Sequence, residues 1–152
     1  MSKREIGSLT NPTDHWTKTV TATETPSSGV DVRDYGAALV LATVGAITNI
    51  ANSPVPSWTL KLQESDDDST FTDVAAADVA LADHNNDGSI TSGVFATIDA
   101  ADEDDQCYSC SYIGTKRYIR VVATAADTPG ATPISVVVAR GLPHLAPAAH
   151  TG

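Results

Sequence analysis

Asp83-His84-Asn85-Asn86-Asp87-Gly88-Ser89-Ile90 reproduces D-x-N-x-D-G-x-I, the first eight positions of an EF-hand-type calcium loop. In such a loop the side-chain oxygens of Asp83, Asn85 and Asp87 would converge on a hard cation, Gly88 would permit the sharp turn and Ser89 would offer its carbonyl. The twelfth position is Val94 in place of the bidentate Glu, and the flanks alternate like strands. This pattern predicts weak Ca2+ binding that needs an acid from elsewhere, such as the Asp102–Asp105 run. It reads equally as an Asx-rich turn whose side chains bond their own backbone. No other cofactor is expected.

The remaining chemistry-bearing residues form no catalytic constellation. Cys107 and Cys110 make a C-x-x-C, but CYSCSY alternates like a strand, which places residues three apart on opposite faces. A redox pair normally opens a helix, and a zinc site needs two further ligands at suitable spacing. Two reduced cysteines, one inward and one outward, are expected. His15, His84, His144 and His150 fall in expected loops or arms, and G-x-S-x-G, H-E-x-x-H and phosphate-cradling glycine loops are missing. Eight aromatics, two Trp, four Tyr and two Phe, poorly furnish a glycosidase cleft. The reading is of a protein that is not an enzyme.

Charge excludes further classes. Residues 62–115 hold 13 acids and no Lys or Arg, while the rest of the chain is +3, giving the net −10. Clustered cations for phosphate are lacking, so nucleic acid and anionic membranes are not expected partners. No apolar run approaches the about 20 residues of a membrane helix, and the basic start lacks an apolar segment behind it. Synthesis in the cytoplasm is expected.

The elements that must position these residues are short strands. In SWTLKLQES, Trp58, Leu60 and Leu62 share one face while Thr59, Lys61 and Gln63 share the other. TFTDVA follows ESDDDS as a hairpin partner, and CYSCSYIG pairs with RYIRVVATA through a turn at Gly114-Thr115-Lys116. PISVVVARG follows after the loop ADTPGATP. TKTVTAT, VDVRD, AALVLATVG and Val94–Ile98 are further strands, and only AAADVALAD, residues 75–83, favours a helix. Together they predict an all-β fold, an antiparallel β-sandwich or jelly roll with extended terminal arms. The divisions are an N-terminal arm over 1–15, a sandwich over 16–140 and a tail over 141–152.

Three blocks, KLQESDDDSTFTDVAAADV at 61–79, CYSCSYIGTKRYIRVVATA at 107–125 and TPISVVVARGLPHLAP at 132–147, resemble small capsid decoration (cement) proteins of tailed bacteriophages. The resemblance implies a virion protein on the outer capsid surface that clamps neighbouring copies of the major capsid protein, itself a homotrimer. Trp16, Leu142, Pro143, His144 and Leu145 are then the expected capsid and subunit contacts. A head–tail connector or tail role is the alternative within the particle. LQESDDDSTFTDV and KRYIRVVAT are also similar to hairpins of discoidin-type sandwich modules, which implies glycan binding instead. Calorimetric titration with Ca2+ checks the loop: weak heat that vanishes in Asp83→Ala and Asp87→Ala assigns it, and heat that survives both places the cation elsewhere.

Overall fold

The computed structural model describes residues 10–81 and 91–143. Ten strands run in the order β1 (Thr10–Val20), β2 (Val30–Asp31), β3 (Tyr35–Val44), β4 (Ser57–Ser65), β5 (Thr72–Asp73), β6 (Val79–Leu81), β7 (Val94–Ile98), β8 (Gln106–Tyr112), β9 (Tyr118–Ala126) and β10 (Thr132–Pro143). They form two antiparallel sheets. Sheet A has the order β1-β10-β3-β8-β6, and sheet B the order β2-β9-β4-β5 with β7 also on β4. Alternation along each strand turns one set of side chains into a common core between the sheets. Trp58, Leu60 and Leu62 of β4 are fully buried there with Val40, Ile119, Val121, Val136 and Val138. The expected all-β sandwich is what the chain forms.

Several local expectations change. AAADVALAD makes only a 3-10 turn at Ala76–Asp78 before entering β6. Ala75 leaves that turn without a side-chain cap, and Val79 is already extended because it pairs with Tyr112. Strand extends into both expected arms: β1 begins at Thr10, and β10 continues through Gly141, Leu142 and Pro143. Those end residues are held by pairing, Thr10 with Gly141 and Pro143 with Tyr35.

The largest correction concerns the RYIRVVATA pairing. β8 lies in sheet A against β3, whereas β9 lies in sheet B against β4, so residues 113–117 cross between sheets and form no hairpin. Alternation fixes which side chains of each strand face inward, but either arrangement satisfies it. The crossing keeps Tyr108, Cys110 and Tyr112 in the same core as Ile119, Val121 and Ala123 of the other sheet. Tyr112 organises it. Its phenol donates to the Glu64 carboxylate on β4 at 2.6 Å and accepts the Lys116 N–H at 2.8 Å. Gly114 passes over the ring so closely that a Cβ there would lie 2.6 Å from the phenol carbons and oxygen. The next connection, 127–131, returns to sheet A, where the Trp58 indole donates to Thr132 Oγ1 at 3.0 Å.

Gly114→Ala is expected to cost about 1–3 kcal/mol, because ring or backbone must shift. Tyr112→Phe is expected to cost about 1–2 kcal/mol by leaving the Lys116 N–H without its acceptor. For a chain of this size each kcal/mol lowers Tm by roughly 2–4 °C, which thermal denaturation reads directly.

Candidate docking face

The outer face of sheet A is unlike the rest of the surface. On β3 the outward residues are Ala37, Leu39, Leu41 and Thr43; on β10 they are Ser135, Val137 and Ala139. β8 adds Cys107, Ser109 and Ser111, and β6 adds Ala80. Register sets them in rows: Val137, Leu41 and Ser109 in one, Ala139, Leu39, Ser111 and Ala80 in the next. None of them is Asp, Glu, Lys, Arg or His. Asp14, on the edge strand β1, is turned toward Thr17 at 3.2 Å, and Lys18 and Asp105 border the face where Thr43, Cys107 and Ser135 line a depression. At the end nearest the crossing, Ile113 and Leu142 are each 60% exposed beside Ala37 and Gly36. Ile113 rims a shallow depression of about 380 Å³ bounded by Ala37, Leu39, Ser111, Ala139 and Gly141.

Sheet B presents the opposite character. Lys61 pairs with Asp73 at 2.9 Å, Gln63 donates to the same carboxylate, and the Arg120 guanidinium donates to Gln63 while lying 3.9 Å over the Phe71 ring. Arg117 donates twice to Asp31. Arg33, Lys116, Arg117 and Arg140 gather at the end that holds the 113–117 crossing, where Asp31, Glu64, Asp66 and Asp78 also lie, and Asp99 and Asp102–Asp105 lie at the other end.

Many carboxylates are consumed by backbone. Asp67 accepts the N–H groups of Thr70 and Ser69 and the Ser65 hydroxyl, and these bonds hold its carboxyl well below the usual range. Asp104 accepts the Ile47 N–H at 3.0 Å, and Glu103 accepts those of Asp99 and Ala100. Two carboxylates of the acidic run that might have completed a calcium shell are thus turn caps. Among the described residues no group of three or more His, Cys, Asp or Glu is disposed to hold a metal. Asp83, Asn85, Asp87 and Ser89 lie outside the described residues. Cys107 is exposed on the outer face of sheet A and Cys110 is buried, both as free thiols. Burial pushes the Cys110 thiol up to about 12, which leaves it unreactive.

The expected contact residues separate. Leu142 is exposed near the end of β10, Pro143 closes β10, and His144 and Leu145 lie outside the described residues. Trp16 is core, 6% exposed. A bulge in β1 sets His15 and Trp16 together opposite Val136, so both side chains reach across to sheet B. The Trp16 indole donates to the Val121 carbonyl at 3.1 Å, and His15 Nε2 accepts the Val121 N–H at 3.2 Å. Val121 sits on the edge of β9 between the Val30 pairing and the Glu24 bridge, where its peptide would otherwise lack a partner. Sequence alone showed an aromatic near the start of a strand; the bulge that turns it inward carries no local signature. Compared with known proteins, the chain matches no family model and no curated protein.

Burial lowers His15 to about 4, with nearby Arg120 acting in the same direction and Asp14 and Asp68 opposing. The unfolded chain therefore takes up this proton first as pH falls, and stability contributed by neutral His15 is lost between about 6.5 and about 4, by up to about 3 kcal/mol. Chemical denaturation between pH 7 and 4.5, above the main carboxylate range, should show that loss. His15→Gln, whose amide oxygen can still accept the Val121 N–H, should flatten it.

Proposed function

We propose that this protein is a non-enzymatic structural component of a tailed-phage particle, a decoration protein made in the host cytoplasm that binds the outer surface of the mature head and clamps neighbouring copies of the major capsid protein. The observation that carries the reading is the broad, sparsely charged outer face of sheet A on a chain of net charge −10. Contiguous outward apolar residues on a sheet that needs no further layer to complete its own core are the mark of a protein-docking surface. The three sequence blocks that resemble decoration proteins supply the class of partner. The acidic end, around Asp99–Asp105, then faces solvent or basic capsid patches, where charge governs orientation more than affinity. Exposed Leu142 keeps a contact role, while Trp16 acts inside the fold.

A glycan-binding role of the discoidin kind has less support. Trp16 and Trp58 are both core residues, and Tyr118 and Tyr35 lie under the guanidinium groups of Arg117 and Arg140. Sugar stacking needs an open aromatic ring.

Quantitative mass spectrometry of purified particles tests the proposal. A copy number comparable with the major capsid protein is expected. A handful of copies would point to a connector or tail component, and absence from particles would overturn the virion reading.

A further inference from the structure

We infer that His15 is an acid-operated latch: on taking up a proton its ring lets go of Val121, and the joint between β1 and β9 opens at the bulge while both sheets stay formed. The loss of stability on acidification concerns the whole chain. The latch gives that loss a first, local step.

The edge of β9 carries a gap that side chains fill. Val30 pairs with Ile119 and Glu24 bridges Ala123, and between these two contacts Val121 gives its N–H to His15 Nε2 at 3.2 Å and takes the Trp16 indole N–H on its carbonyl at 3.1 Å. A backbone carbonyl would hold this N–H at any pH. An imidazole nitrogen accepts only while it carries no proton, whereas an indole donates throughout. One half of the joint therefore answers to pH, and Trp16 is its fixed pivot.

The surroundings do not accommodate the proton while the latch is closed. Among the described residues, the charged groups packed around the ring are Asp14 on β1, Arg120 on β9 and Asp68 in the turn between β4 and β5. Arg120 is fixed in place: its guanidinium donates to Gln63 and to the Pro26 carbonyl and stacks on Phe71. Asp14 is turned to Thr17, and Asp68 accepts the Gly29 N–H at 2.6 Å. An imidazolium held there would face a fixed like charge with both carboxylates already engaged. Turning out at the bulge relieves this, because the extra residue of a bulge stands outside the ladder. Little else has to move: β1 keeps its pairing with β10 from Thr10 to Val20, and β9 keeps its pairing with β4 from Ser57 to Ser65.

Hydrogen exchange read by NMR on the full chain at pH 7 and pH 4.5 tests this, each rate expressed as protection relative to unstructured peptide. With the ring at 6.5 when the latch is open and about 4 when it is closed, Val121 protection should fall roughly 60-fold between the two conditions. Leu60 on β4 and Val136 on β10, in central strands, should remain at least about 10-fold better protected than Val121 at both pH values. Equal protection at all these positions would mean that only global unfolding reaches Val121, and it would overturn the latch. So would Val121 protection that does not change with pH. His15→Gln, whose amide oxygen accepts at any pH, should keep Val121 protected at pH 4.5; a fall as large as in the unmodified chain removes His15 from the role. Should that variant fail to fold, the unmodified chain answers alone: the Val121 amide proton and the His15 ring protons should titrate with one midpoint, and separate midpoints overturn the inference.

Discussion

The contact on which the rest of the architecture depends is the Tyr112 phenol between the sheets. Its hydroxyl joins the end of β8 in sheet A to Glu64 on β4 in sheet B and receives the first turn of the crossing through Lys116 N–H. Burial raises the phenol well above its ordinary pKa, with Glu64 adding to the effect, so the donor proton stays in place throughout the neutral range. Because the chain leaves sheet A here, β9 becomes the partner of β4. β8 is left beside β3, and its Ser109 and Ser111 extend the sparsely charged face instead of lying in sheet B. Sheet membership in turn decides which strands contribute to the outer face of sheet A.

A second tie runs the other way. β1 belongs to sheet A by pairing, yet through the bulge it lends His15 and Trp16 to the Val121 peptide of sheet B. The indole contributes buried area as well as its hydrogen bond, so Trp16 serves the joint between layers. That use explains why a large aromatic near the chain's start is not a contact for a neighbouring subunit.

Much of the fold was legible in the residues, and the boundary of legibility has a physical cause. Strict alternation in SWTLKLQES identified β4 and its buried face, and Cys107 and Cys110 fell on opposite sides as period two requires. The turn ESDDDS joined β4 to β5 because Asp67 caps its own backbone, a local interaction that local sequence encodes. The RYIRVVATA partner was not encoded locally. Whether two strands share a sheet depends on contacts such as Tyr112 with Glu64, 48 residues apart. The candidate face was similarly hidden: its residues come from four strands and look unremarkable in each, and only the register sets them side by side. The sequence drew attention to the acids, while the surface of interest is one where they are few.

The position of β10 has a kinetic consequence. It lies between β1 and β3, so the two earliest long strands of sheet A do not pair with each other and must wait for residues 132–143 before the sheet becomes continuous. Closing contacts over such separations is entropically slow, and a ribosome-bound chain would hold two unmatched strand edges until β10 emerges. Sheet B, whose longest pairing joins β4 to β9, can form before that point. Sheet A is therefore completed as nearly the last event of folding, with the edges of β1 and β3 left open until β10 arrives.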